Sequence, residues 1–167
     1  LALFKEGEPV DSIDWDADEP ECAIVLASTG FYVESGGQMG DTGVISGPGW
    51  EFEVNEVRRP IGRFILHIGR MTDGGAMRVK DSAQARVNHH RRWDIMRNHT
   101  ATHLLHASLR NVLGEHVHQQ GSLVAPDLLR FDFSHDKAIS LDEMQRISEE
   151  VQEMILTNAA IEIVYKP

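Results

Sequence analysis

The chain has 167 residues, with 41% apolar and 25% charged side chains and a net charge of −10. That is the composition of a globular domain or two small ones, not of a disordered chain, and no apolar run approaches the ~18 residues a membrane span requires. One cysteine, Cys22, excludes an internal disulfide framework and any zinc site made of cysteine alone.

The charge is unevenly spread. Residues 1–57 carry a balance of −12, residues 58–97 of +7 and residues 98–167 of −5. The negative total argues against bulk affinity for nucleic acid, whereas a local basic belt suits contact with one anionic partner or simply a solvated surface. The chain starts at Leu1 without a signal or transit pattern and ends at Pro167 just after an apolar run, so it reads as a piece of something longer.

In chain order, residues 1–87 read as β structure. Short strands are expected at Cys22–Ala27, Gly43–Ile45, Trp50–Val54, Phe64–Ile68 and Ala83–Val87, punctuated by Gly47-Pro48-Gly49 and Asp73-Gly74-Gly75. This pattern suits a small barrel or sandwich. Asn88 then serves as a helix N-cap and Gly114 as the residue that ends that helix. Trp93, Met96, Leu104, Leu105, Leu109, Val112 and Leu113 supply more apolar surface than a narrow stripe, so the helix is expected to be central. Strands from His116 to Val124 and Leu128 to Ser134 follow, joined by the turn Ala125-Pro126-Asp127. Ser140-Leu-Asp-Glu143 is a capping box, and the helix behind it is expected to bury Leu141, Met144, Ile147, Val151, Met154 and Ile155. Residues 161–165 read as a further strand. The second part, residues 88–167, is thus an antiparallel sheet packed on a long central helix, and the fold class is α+β.

Two motifs carry chemistry. In Asn98-His-Thr-Ala-Thr-His-Leu-Leu-His106, His99 and His103 lie four apart and project from one helix face, a spacing that lets both imidazoles reach one Zn²⁺. His106 is a possible third ligand. Thr100 stands where a metalloprotease of the HExxH type needs glutamate, which argues against that chemistry. Two histidines alone equally describe a satisfied pair in a core. The second motif runs from Thr29 to Gly43, with Gly36, Gly37, Gly40 and Gly43 permitting positive φ and close ligand approach. Gln38 puts a donor and acceptor amide at its tip, suited to orienting a water or a developing oxyanion. The alternative is a plain glycine-rich hairpin; the phosphate-loop spacing and its lysine are absent. Arg91, Arg92 and Arg97 flank the histidines, either to pair phosphates or to solvate the helix. His89 and His90 read as surface residues and Cys22 as inert core.

Asn98-His-Thr-Ala-Thr-His-Leu-Leu-His106, Gln119-Gln-Gly-Ser-Leu-Val124, Leu129-Arg-Phe-Asp-Phe133 and Phe31-Tyr-Val-Glu-Ser-Gly-Gly-Gln-Met-Gly-Asp-Thr-Gly43 together resemble the editing domains of the alanyl-tRNA synthetase family, in order along essentially the whole chain. Freestanding alanyl-tRNA editing proteins and the editing region of threonyl-tRNA synthetases share the HxxxH core. The resemblance implies a small β-barrel-like subdomain over residues 1–87 followed by an α+β editing core, and hydrolysis of the ester in tRNA(Ala) mischarged with serine or glycine, in the cytoplasm. Serine and glycine are poorly rejected by one apolar pocket, so a second, hydrolytic site is needed. It further implies a zinc ion with His99 and His103 as two ligands, Gln38 as the catalytic amide, and Gly36, Gly37 and Thr29 shaping the pocket, Thr29 toward a serine hydroxyl. The family's downstream CxxxH is missing, since Leu26 stands four residues after Cys22. ATP and Mg²⁺ would belong only to the aminoacylating part of a parent ligase. Rival readings are a tRNA-binding fragment with an incomplete zinc site, a freestanding deacylase, and a hydrolase using Gly-Gly-Gln as peptide release factors do.

Overall fold

The computed structural model describes residues 1–16, 21–160 and 164–165. They form two compact units, Leu1–Ile95 and Met96–Pro167. No helix among the described residues is long and apolar enough to cross a membrane.

The first unit is built on one antiparallel sheet. Its strands are β1 (Ala2–Lys5), β2 (Glu8–Val10), β4 (Cys22–Val25), β5 (Gly43–Gly47), β6 (Trp50–Ile61), β7 (Phe64–Gly74) and β9 (Gln84–Val87), while β3 (Ser12–Asp14) and β8 (Ala76–Arg78) pair separately. The order β2-β1-β4-β7-β6-β5-β9 is open, so the barrel-like expectation resolves into a sheet that does not close. The end strands explain this: β2 has three residues and includes Pro9, which has no N–H to offer a further strand. Two strands run well beyond the expected limits, because β6 and β7 form one long hairpin that continues to the pair Ile61–Phe64. In β6, Trp50, Phe52 and Val54 are buried in alternation, and an irregularity between Val54 and Glu56 shifts the phase so that Val57 faces inward next. These residues join Leu3, Cys22, Ile24, Phe31, Ile45, Met71 and Met77 in the core.

Helix α1 (His89–Leu113) begins where expected: Asn88 Oδ1 accepts the Arg91 N–H at 3.1 Å. It ends at Gly114, whose φ is +120° and whose N–H donates to the Arg110 carbonyl at 3.0 Å. The division between the units falls inside this helix, eight residues past the expected boundary at 87/88. The reason lies in the first two turns, where Ile95 is buried and Arg91 and Arg92 bond to the first unit's loop. Trp93 and Met96, two of the apolar residues that pointed to a central helix, are exposed.

In the second unit, β10 (Gln119–Val124) and β11 (Leu129–Phe133) form a hairpin, and α2 (Leu141–Thr157) follows. Leu109, Val117 and Ile147 are its core, with Leu105, Val112, Leu113, Phe131, Phe133 and Ile139 packed around them. The capping box of α2 is complete, and the Ser140 amide and hydroxyl with Lys137 hold the Glu143 carboxyl down at about 2. Of the six α2 residues expected to be buried, only Ile147 is fully so; Leu141, Met144 and Ile155 are exposed. The apolar arc of α2 is wider than its neighbours cover, and one line of contact, sealed by Ser108 and Asn111 donating to Glu150, holds it to α1. The strand expected at 161–165 lies largely outside the described residues, and Val164 and Tyr165 are in no strand.

Candidate functional site

The glycine-rich segment of the first unit is tied down from three sides. Ser35 and Gln38 exchange both backbone hydrogen bonds, at 3.2 and 3.0 Å, around Gly36 (φ +61°) and Gly37 (φ +82°). A two-residue loop with positive φ at both central positions is the turn that glycine pairs favour. The hairpin reading of these glycines is therefore sound, and its product is a fixed position for Gln38, which is partly buried. Gly43 answers a different need: a Cβ there would come within 2.3 Å of the Arg86 carbonyl oxygen on β9.

Behind the turn, the Asp41 carboxylate is buried, accepts the Tyr32 N–H and is paired with the Arg92 guanidinium. Arg92 also donates to the Gly30 carbonyl at 2.7 Å, and Arg91 to that of Gly40 at 3.3 Å. The hydrogen bond to Asp41 raises the Arg92 pKa further above its ordinary value. Two of the three arginines offered as phosphate partners thus hold the loop instead. Other members of the basic belt are paired on the surface, Arg58 with Glu56 and Arg70 with Glu53.

Thr29 opens the segment, and its partner is a residue that sequence reasoning did not single out. His67, fully buried on β7, places Nδ1 3.0 Å from the Ile24 carbonyl and Nε2 2.8 Å from Thr29 Oγ1. A carbonyl only accepts, so Nδ1 carries the proton, Nε2 accepts, and the Thr29 hydroxyl donates to it. Burial pulls the His67 pKa below its ordinary value, opposed by the bond to Ile24. Thr29 Oγ1 also accepts the Phe31 N–H at 3.1 Å, which leaves it one lone pair, and Thr29 lines a cleft together with Leu26, Ser28, Gly30, Asp81 and Gln84. The signal in the sequence was a lone polar residue inside the strand Phe64-Ile-Leu-His-Ile68.

In the second unit, His99 and His103 are exposed on α1 with their Nε2 atoms 3.1 Å apart. Two nitrogens bound to one tetrahedral zinc at 2.0–2.1 Å lie about 3.3 Å from each other, so this pair suits half of such a site. Among the described residues, no third His, Cys, Asp or Glu gathers with them. His106 packs its ring on Phe131 at 5.1 Å, its buried Nε2 has no hydrogen-bond partner among the described residues, and it does not complete the set. Cys22 is buried in the first unit. Asn98 fixes this part of the helix by donating to the Ala125 and Pro126 carbonyls at 2.8 and 3.2 Å, in the turn between β10 and β11.

Comparison with known proteins adds the family context. The family model described as tRNA synthetases class II (A) matches residues 1–91. The chain is 48% identical over 164 residues to an alanine–tRNA ligase of Stenotrophomonas maltophilia, covering 98% of this chain and 18% of that protein. It is 49% identical over 160 residues to that of Dehalococcoides mccartyi, covering 95% and 18%. For the enzyme of Desulforamulus reducens the figures are 46% over 163 residues, 98% and 18%. The chain therefore spans about a fifth of the length of these relatives.

Proposed function

The chain belongs to the class II (A) tRNA synthetases, and from that membership we propose that it is the editing portion of an alanine–tRNA ligase, acting on tRNA(Ala) mischarged with serine or glycine. The observation that carries this reading is the His99–His103 pair, with two imidazole nitrogens at 3.1 Å on one helix face. These two residues would hold a zinc ion, whose chemistry when bound is to polarise or position the aminoacyl ester. The other roles belong to the chain's own side chains. Thr29, oriented by His67, offers its remaining lone pair to the serine hydroxyl. Gln38, fixed by the Gly36–Gly37 turn, orients the attacking water or the ester carbonyl. Exposed Arg59 and Arg63, at the tip of the β6–β7 hairpin, supply positive charge for tRNA phosphates. ATP, Mg²⁺ and alanine activation belong to the rest of such a ligase.

A second reading has its own support, since no third ligand joins His99 and His103 among the described residues. In it, the chain by itself binds tRNA and completes the metal site only with sequence that the longer relatives possess. Deacylation of Ser-tRNA(Ala) and Ala-tRNA(Ala), with and without zinc, separates the two. Selective, zinc-dependent loss of serine, abolished by His99→Ala and slowed at least tenfold by Gln38→Ala, is the expected result. A folded chain that binds tRNA without hydrolysing it selects the second reading. Equal hydrolysis of both tRNAs refutes both.

A further inference from the structure

Apart from the HxxxH pair, the second unit brings three metal-binding side chains to one place. His116 lies between the end of α1 and the start of β10; His135 and Asp136 follow β11. Nineteen residues separate the histidines in sequence, and the hairpin register, with Gln119 opposite Phe133, returns them to the same end. Ser134 locks the two segments together. Its N–H donates to the His118 carbonyl at 3.0 Å, and its hydroxyl accepts the His118 N–H at 3.1 Å and reaches the His116 carbonyl at 3.2 Å.

Held in this way, His116 Nε2 sits 2.9 Å from His135 Nδ1, with the rings stacked at 5.1 Å and 19°. Asp136 Oδ1 lies 3.8 Å from the same His135 nitrogen, and the three donor atoms all fall within 4.8 Å of one another. The His135 side chain is 6% exposed, and its Nε2 has no partner among the described residues. All of its polar engagement is therefore through Nδ1, on the side of His116 and Asp136. Asp136 is open to solvent, so an ion can enter.

A hydrogen-bonded imidazole pair has no need of a carboxylate. Two imidazoles and a carboxylate converging on one opening do make a donor set, and its chemistry suits zinc, a borderline ion content with nitrogen and oxygen. Ligand atoms on a tetrahedral zinc lie about 3.3 Å apart. The observed 2.9 and 3.8 Å bracket that value, the third separation is within 4.8 Å, and the solvent-facing side chains of His116 and Asp136 can turn to close the remaining gap of up to about 1.5 Å.

We propose that His116, His135 and Asp136 form a second, separate divalent-metal site of the zinc type, which clamps the segment leaving α1 to the segment leaving β11. Three protein ligands leave a fourth position for water. The site stands or falls independently of the editing reading and of His99 and His103.

Co²⁺ is the probe, titrated into the His99→Ala/His103→Ala chain so that only the proposed site is counted. One equivalent should bind with the visible absorption of four-coordinate cobalt. His116→Gln in that background should abolish it, and Asp136→Asn should weaken it by ~10-fold or more, since even outer-shell changes at metal sites cost that much. His118→Gln should leave it unchanged. Both substituted ligands are exposed, and far-UV circular dichroism checks that each variant is folded. Zn²⁺ should also raise the melting temperature of the background chain and not that of its His116→Gln derivative. Absence of Co²⁺ binding in the background chain, or binding indifferent to His116→Gln and Asp136→Asn, overturns the proposal.

Discussion

Thr29→Val is the substitution that tests most directly how the candidate pocket is built. Valine has nearly the shape of threonine, so packing is kept and two hydrogen bonds are lost. His67 Nε2 loses its donor at a position with no solvent exposure, and the Phe31 N–H, on a residue 4% exposed, loses its acceptor. A buried polar group left unsatisfied costs about 1–3 kcal/mol. Thr29 itself is only partly buried, so water relieves some of the loss, and the sum is about 2–3 kcal/mol. In a unit of this size each kcal/mol is ~4–8 °C of melting temperature. All three tryptophans, Trp15, Trp50 and Trp93, lie in the first unit, so urea unfolding followed by their fluorescence reads this unit alone. Thr29→Val should lower the midpoint by roughly 1 M or more at an m-value of 1–3 kcal/mol per M. Thr29→Ser keeps the hydroxyl and should lose less than ~1 kcal/mol. If serine proves as costly as valine, or valine costs under ~0.5 kcal/mol, the hydroxyl does not orient or satisfy His67 and the argument fails.

The same imidazole gives a pH signature. Because burial depresses the His67 pKa in the folded chain, the unfolded chain binds more protons below its own value of ~6.5. Stability of the first unit is therefore complete above that pH and declines as pH falls from about 7 to 5, and His67→Gln should flatten the slope in urea midpoints taken across this range. Gly37→Ala, at φ +82°, should cost ~1–2 kcal/mol in the same assay, and Gly37→Asn less, because asparagine tolerates the left-handed region better. Equal losses for the two would show that conformation is not what glycine provides there.

The legible parts of this chain were those written in local chemistry. Asn88, Gly114 and the Ser140–Glu143 box each satisfy backbone groups within a turn of themselves, so the helix ends could be read from residue type and spacing. The extents of β6 and β7 could not. Arg58-Arg59-Pro60 and Thr72-Asp73 look like connecting segments, and the partner strand alone makes them part of a hairpin. β1 and β2 are three or four residues long and take their identity from pairing. At the site, the Gly36–Gly37 turn and the His99–His103 face followed from φ requirements and helical period. The Thr29–His67 bond spans 38 residues, and the meeting of His116 with His135 depends on hairpin register, so neither had a local signal. The error in α2 was one of partners: helical spacing identifies an apolar arc but not how much of it a neighbour covers.

The placement of Arg91, Arg92 and Ile95 bears on how this polypeptide can be dissected. Composition suggests cutting between Val87 and Asn88, where β structure gives way to helix. A fragment cut there would lose the guanidinium that faces Asp41, stranding a carboxylate that is 4% exposed, and would release the carbonyls of Gly30 and Gly40 together with the Ile95 side chain. The first unit is self-sufficient only if it keeps the opening turns of a helix whose remaining residues belong to the second. The helical segment His89–Ile95 is, in effect, a lent part, and any excision, tag insertion or circular permutation has to respect its ownership.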